Sequence, residues 1–170
     1  MTEEVKLTQA ERLRAQNIVE IELPGETETL KFRKLAGFDF VAAELLPVDV
    51  YLKSMTEEQR EAAAKRHIDM MIKSPRALQL YEHGIATVLI RTAIEPEIVA
   101  DAKAVTDKAK QIAVIELGPI AEFIFNQLLE KSGLGKEAEA IASFRSRKER
   151  ELSGRGGKTL RHPALRAVKK

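Results

Sequence analysis

The chain has 170 residues, of which 44% are apolar, 32% charged and 5% aromatic, a composition that favours one globular domain with short appendages. It contains no cysteine, which excludes disulfides, thiolate metal ligands and cysteine nucleophiles. The longest run without a charged side chain, His83–Ile90, is too short to cross a bilayer, and the N-terminus lacks the basic-then-apolar pattern of a signal peptide. We therefore expect a cytoplasmic protein with no membrane partner.

The charges are unevenly distributed along the chain. Residues 145–170 hold ten of the 28 Lys and Arg residues but only two of the 26 Asp and Glu residues. The preceding 144 residues therefore hold 18 bases and 24 acids, which gives them a net charge of −6 against +8 for the C-terminal segment. This asymmetry predicts an exposed N-terminal segment, 1–17, a single acidic globular domain, 18–152, and a basic flexible tail, 153–170.

The N-terminal part of the chain predicts a short exposed helix within residues 1–16, followed by a β-hairpin. A capping box formed by Thr8 and Glu11 supports the start of the helix. Apolar and charged side chains alternate over residues 18–23 and again over residues 27–35, which is the period of half-buried strands.

A tight turn is predicted between these two strands. Pro24 presets φ at the first central position of a type II turn, and Gly25 accepts the positive φ of the second. In the second strand Leu30 and Phe32 are expected to point inwards. The basic residues between and after them can face the acidic residues of the first strand.

From Gly37 onwards the pattern changes to the helical period. The predicted helices and their inner faces are, in chain order, 38–46 (Phe38, Val41, Leu45) ended by Pro47; 57–73 (Ala64, Ile68, Met71, Ile72) with a Thr56–Gln59 capping box; Pro75–Ala93 (Leu78, Tyr81, Ile85, Val88, Leu89, Thr92) capped by Ser74; 119–133 (Ile120, Phe123, Ile124, Leu128) closed by Gly133; and Lys136–Arg150 (Ala138, Ile141, Phe144).

The third of these helices is apolar around much of its circumference, which predicts a central position in the fold. The run 95–97, Glu-Pro-Glu, is expected to end it, and residues 101–111 are predicted as an exposed helix or an ordered linker. The predicted fold class is therefore mainly α with a small N-terminal β-hairpin, an α+β protein with a helical body and a basic tail.

Side chains that could carry catalysis are sparse. His67, His83 and His162 are far apart, and none has a second ligand at metal-binding spacing. Residues 157–159, Gly-Lys-Thr, match the end of a phosphate-binding loop, but Leu152 stands where its first glycine would be and no strand precedes it. We therefore predict no catalytic, cofactor-binding or metal-binding residues, no cofactor and no enzyme activity.

Two features allow binding roles instead. The basic segment 145–170 could contact nucleic acid through phosphates, although Phe144 at its border is its nearest aromatic residue and base stacking is not served. A solvated tail and a contact with an acidic protein surface are the alternatives. Met55, Met70 and Met71 suit either a gap-filling core or an adaptable binding surface.

Three segments carry longer patterns. Val19–Pro47 reads as a strand, a Pro-centred turn, a basic second strand and a helix that ends in Leu-Pro; Thr92–Val99 reads TAIEPEIV, and Ala121–Gly133 reads AEFIFNQLLEKSG. In this order they resemble the opening, the Glu-Pro-x-Val element and the Phe-Ile-Phe-Asn element of tail assembly chaperones from long-tailed bacteriophages. The resemblance covers about residues 18–133, and the basic extension after Arg145 lies outside it.

The resemblance implies a protein without enzymatic activity that binds the long helical tape-measure protein in the host cytoplasm. There it would keep the tape-measure protein soluble and help recruit tail-tube subunits, and it would be absent from the finished particle. The alternatives are a structural virion protein of the tail or head–tail junction and a basic-tailed accessory protein that binds nucleic acid. Self-association is left open.

Overall fold

The computed structural model describes residues 8–25, 29–51, 54–134 and 136–156. Its elements are α1 (Gln9–Gln16), β1 (Ile18–Glu22), β2 (Thr29–Arg33), α2 (Gly37–Ala42), a 3₁₀ turn (Val48–Tyr51), α3 (Glu57–Lys73), α4 (Ala77–Thr92), β3 (Ala93–Glu95), β4 (Glu97–Val99), a second 3₁₀ turn (Ala102–Ala104), β5 (Gln111–Ala113), α5 (Val114–Leu117), α6 (Ile120–Lys131), α7 (Lys136–Ala142) and α8 (Phe144–Gly156). The predicted fold class, mainly α with an N-terminal hairpin, is confirmed. Within these ranges no helix combines the length and apolarity needed to span a bilayer.

The hairpin forms as the alternating pattern predicts. β1 and β2 are antiparallel, with Val19 opposite Phe32 and Glu20 opposite Lys31. Val19 and Phe32 are buried, and Gly25 has the positive φ, 84°, that the predicted turn requires. The helix before the hairpin begins with the predicted capping box and buries no residue, so it lies on the surface.

Three short strands were not predicted. β3 pairs antiparallel with β2 through Lys31–Glu95 and Phe32–Ala93, which gives a sheet of order β1-β2-β3, and β4 pairs with β5 in parallel. Residues 101–111, predicted as an exposed helix or an ordered linker, form a linker that contains the second 3₁₀ turn. Each new strand has three residues, too few for an alternating pattern to be recognised.

The first predicted helix is shorter than expected and turned differently. α2 ends at Ala42 rather than before Pro47, and Phe38, predicted on the inner face, is 71% exposed while Phe40 is buried. The reason is the turn after α2, where the amides of both Leu45 and Leu46 donate to the Phe40 carbonyl. Both leucines are buried as a result, and no single helical face could bury them together.

The two long helices α3 and α4 form the centre of the molecule. The predicted capping box of α3 and all four residues of its predicted inner face are confirmed. α4 contacts α2, α3, α5, α6 and β4, which confirms its central position, and a Cβ on Gly84 would lie 2.5 Å from Leu45 Cδ2. It begins at Ala77 rather than Pro75 because Ser74 ends α3 and Pro75 lies in the turn between the helices. Leu78 is consequently 40% exposed, not on the inner face.

The C-terminal helices differ from the prediction in phase and in length. In α6, Ile120 and Phe123 are exposed, whereas the predicted Ile124 and Leu128 are buried together with Phe125 and Leu129. The predicted helix Lys136–Arg150 is two helices, interrupted at Ser143. Its three predicted inner residues, Ala138, Ile141 and Phe144, are buried as expected. α8 continues to Gly156, four residues into the segment 153–170 predicted as a tail.

Candidate functional site

The residues considered for catalysis lie apart in the fold. His67 is on α3 with Nε2 3.4 Å from the Glu44 carbonyl oxygen, and His83 is exposed on α4. His162 and the run 157–159 lie outside the described residues. Among the residues that the structure describes, no group of three or more His, Asp and Glu side chains could hold a metal ion.

The three methionines have different environments. Met71 is buried in the core, and Met55 packs against the core while partly buried. Met70 is 66% exposed. The core interpretation therefore holds for Met71 and Met55 but not for Met70.

The basic segment begins with a series of ion pairs, which we call the α8 seam: Arg145–Glu122, Arg147–Asp69 and Lys148–Glu151. Arg145 binds Glu122 with two nitrogens, each 2.7 Å from a carboxylate oxygen, and these hydrogen bonds raise the pKa of Arg145. Lys148 is buried, and its Nζ also donates to the Ile72 carbonyl oxygen at 2.5 Å. The first basic residues of the segment thus contact acidic groups of the chain itself.

Tyr81 on α4 lies next to the α8 seam. Its ring stacks on Phe144 with centroids 4.3 Å apart and meets Phe125 edge-on at 6.4 Å. The hydroxyl is buried and has no hydrogen-bond partner among the described residues. Burial, together with the nearby Glu122 carboxylate, raises the pKa of Tyr81, so the phenol stays protonated and serves packing.

A second charged cluster, the hairpin junction (Arg33, Asp39 and Arg91), ties β2 to α2 and α4. The buried Asp39 carboxylate accepts two hydrogen bonds from Arg33, at 2.8 and 3.0 Å, and one from the Ala36 amide at 2.8 Å. Arg91 Nε lies 3.6 Å away. Burial by itself would raise the pKa of Asp39, but the Arg33 and Ala36 hydrogen bonds and the charge of Arg91 outweigh it and lower the pKa. With its carboxylate occupied in this way, the cluster serves to hold these elements together.

The largest open depression lies beside the edge strand β3, and we call it the sheet-edge groove. It has a volume of about 1380 Å³. Its apolar lining comes from β2, β3, the 101–110 linker and β5: Leu30, Ile94, Pro96, Ala102, Val105, Ala109 and Ile112. Its polar lining consists of Thr29, Lys31, Glu95, Lys108, Lys110, Gln111 and Glu116. It is an open apolar surface with a charged border, as partner-binding surfaces are.

The two acidic residues of the groove are both engaged within the chain. Glu95 forms an ion pair of 2.7 Å with Lys31, and Glu116 accepts a hydrogen bond from the Ala113 amide at 2.7 Å. Lys110 has only a 3.7 Å contact with Asp107, and Lys108 forms no ion pair among the described residues. The uncompensated charge of the groove is therefore positive.

Sequence reasoning did not find this groove, because its walls belong to the strands and the linker that the pattern left unassigned. The available signal was the isolated isoleucines Ile94 and Ile112 in otherwise charged surroundings. Comparison of the chain with protein-family models, with curated proteins and with solved structures finds no match.

Proposed function

We propose that this chain is a tail assembly chaperone of the kind found in long-tailed bacteriophages. It binds the tape-measure protein in the host cytoplasm, keeps it soluble, and helps recruit tail-tube subunits. Its role is binding, not catalysis. The observation that carries the proposal is the order and placement of the three segments that resemble this family.

These segments are far apart in the chain but adjacent in the fold. β2, from the first segment, pairs with β3, from the second, through Lys31–Glu95 and Phe32–Ala93. The end of the third segment reaches the first, where Lys131 Nζ donates to the Glu20 carbonyl oxygen at 2.7 Å. One folded unit that contains all three segments supports a shared architecture more strongly than three unconnected matches would.

The surface of this unit also suits a chaperone. Ile115, Ile120 and Phe123, on α5 and α6, are 76%, 42% and 36% exposed. Large apolar side chains on a helical surface can receive the apolar face of a partner helix. A tape-measure protein, as a long helical chain, would present such faces.

The α8 seam weighs against the nucleic-acid alternative. Arg145, Arg147 and Lys148 each have a carboxylate partner, and a paired cation gains less from a phosphate than a free one because an existing ion pair must first be broken. We therefore place the basic segment in contact with protein acids.

The test is co-expression with the product of the long, coiled-coil-rich reading frame expected immediately downstream of this gene. We expect that protein to be insoluble alone, soluble in the presence of this chain, and retained when the chain is purified by a tag. A protein that stays insoluble and is not retained would contradict the proposal.

Two further measurements separate the alternatives. Purified particles should lack the chain, and its presence there at stoichiometric amounts would make it a structural virion protein. A gel-shift titration at two salt concentrations should show no shift. Binding in the micromolar range at low salt, lost steeply as salt rises, would identify a nucleic-acid-binding protein.

A further inference from the structure

The sheet-edge groove is too large and too open for a small molecule. Pockets for small ligands enclose about 300–1,000 Å³ and bury most of the ligand, whereas this groove has about 1380 Å³ and lies open at the side of β3. Ile94, in the middle of the edge strand, is 48% exposed. A surface of this size and shape fits a polypeptide segment.

The chemistry of the groove defines that segment. Its apolar lining requires apolar side chains, and Lys108 and Lys110, both exposed, favour carboxylates. The acids that line the groove do not cancel this preference, because Glu95 and Glu116 are engaged with Lys31 and the Ala113 amide.

Two other occupants fit less well. The chain's own C-terminal segment, residues 145–170, has a net charge of +8 and would be repelled by the two lysines. Single-stranded nucleic acid needs aromatic side chains on which bases can stack, and the lining contains none.

We propose that the sheet-edge groove binds an acidic, apolar segment of a partner polypeptide, with Ile94 as the apolar contact and Lys108 and Lys110 as the charged contacts. The surface is argued from its own residues, while the identification of the partner as the tape-measure protein rests on the proposed function. This assignment also gives the TAIEPEIV segment a role in binding, since Ile94, Glu95 and Pro96 line the groove.

The test measures binding of short fluorescent peptides to the full chain by anisotropy. An acidic–apolar peptide of Glu and Leu is compared with a basic–apolar peptide of Lys and Leu and an acidic–polar peptide of Glu and Ser. We expect the first to bind and the other two to bind at least about tenfold more weakly, a difference that corresponds to about 1.4 kcal/mol.

Two variants locate the binding site. Ile94→Glu should abolish binding of the acidic–apolar peptide, and the double variant Lys108→Glu with Lys110→Glu should weaken it about tenfold at low salt, with a smaller effect at high salt. The lysine variant changes exposed side chains, so it keeps the proposal testable even if Ile94→Glu fails to fold.

Matched controls come from the rest of the surface. Ile115→Glu replaces an isoleucine that is still more exposed but does not line the groove. The double variant Lys73→Glu with Arg76→Glu reverses the charge of the other basic depression, beside α4. Both should bind the peptide as the unmodified chain does.

Several results would overturn the proposal. They are absence of binding by the acidic–apolar peptide, equal binding of all three peptides, unchanged binding by the folded groove variants, and loss of binding in the controls. A dimer that Ile94→Glu dissociates, without peptide binding, would show that the groove is a contact between two copies.

The proposed function can fail separately. If the peptide binds but the co-expressed tape-measure protein is not retained, the function is wrong and the groove assignment stands. If that protein is retained equally by the unmodified chain and by the folded groove variants, the function stands and the groove assignment is wrong.

Discussion

The hairpin junction and the α8 seam use charged side chains in different ways. At the junction a single carboxylate, Asp39, is 2% exposed and gathers two arginines and a backbone amide. Along the seam three separate ion pairs lie between α8 and its surroundings, and two of them have a partner that is nearly half exposed.

The difference shows why the number of ion pairs is a poor guide to stability. An exposed pair gains little because water and salt screen both charges. A buried charge that loses its partner is costly because it cannot be fully hydrated. We therefore expect the single carboxylate of the junction to matter more than any pair of the seam.

Both regions depend on α4, which supplies Arg91 to the junction and Tyr81 to the seam, so a substitution in its core should disturb both. Leu89 and Ile85 are 0% and 4% exposed. Replacing either by alanine should reduce the free energy of unfolding by about 2–5 kcal/mol, through lost burial and the cavity that remains. Denaturant unfolding measures this loss.

The control for this substitution is Leu80→Ala on the same helix. Leu80 is 40% exposed, and its replacement should change stability by less than about 1 kcal/mol. Equal losses at Leu80 and Leu89 would contradict the central position of α4.

The second prediction breaks the junction alone. Asp39→Ala removes the partner of Arg33 and the acceptor of the Ala36 amide, and should reduce the free energy of unfolding by about 2–3 kcal/mol. This is below the 3–5 kcal/mol of a fully buried pair, because Arg33 and Arg91 are 40% and 48% exposed and water can hydrate them. Asp39→Asn, which keeps an acceptor for the amide, should lose less.

The junction should also respond to acid. The lowered pKa of Asp39 means that its contribution to stability is complete above the ordinary aspartate pKa of 3.8 and is lost as the pH falls through the lowered value. Denaturant midpoints measured from about pH 5 to about pH 2 should therefore decline less steeply for Asp39→Asn than for the unmodified chain. Parallel profiles would exclude Asp39 as the responsible group.

What could be predicted from the sequence is what neighbouring residues decide. The alternation around Val19 and Ile21 and the capping boxes at Thr8 and Thr56 are local patterns, and the structure reproduces them. The capping box at Asp39 gave no such signal, because the residue at its N-cap is Ala36 instead of the serine or threonine of the usual pattern.

The features that were missed depend on partners distant in the chain. β3 exists because β2 offers it an edge, and the Arg145–Glu122 pair joins residues 23 positions apart. The inner faces of α2 and α6 were placed wrongly at Phe38 and Phe123, since packing against neighbouring elements, which the pattern of one helix does not contain, sets the rotation of a helix. The sheet-edge groove combines such long-range features and could not be found from the sequence.

Beside the seam, one substitution should stabilise the protein. The Tyr81 hydroxyl is buried without a hydrogen-bond partner among the described residues, so folding removes its bonds to water without replacing them. Tyr81→Phe keeps the stack on Phe144 and should raise the free energy of unfolding by about 1 kcal/mol, which thermal unfolding can measure. A loss of stability would show that the hydroxyl has a partner in solution, such as a bound water.

The smallest effect is expected for an individual pair of the seam. A double-mutant cycle with Asp69→Asn and Arg147→Gln isolates the coupling of these two side chains, which are 47% and 27% exposed. We expect a coupling of about 0.2–1 kcal/mol that largely disappears near 1 M salt, where charges are screened beyond about 3 Å. The same cycle at Arg33 and Asp39 should keep most of its coupling at high salt, because the Asp39 carboxylate is shielded from solvent. Equal salt sensitivity in the two cycles would contradict the distinction between the regions, whereas a persistent coupling at Arg147 alone would place the stronger electrostatic contact on α8.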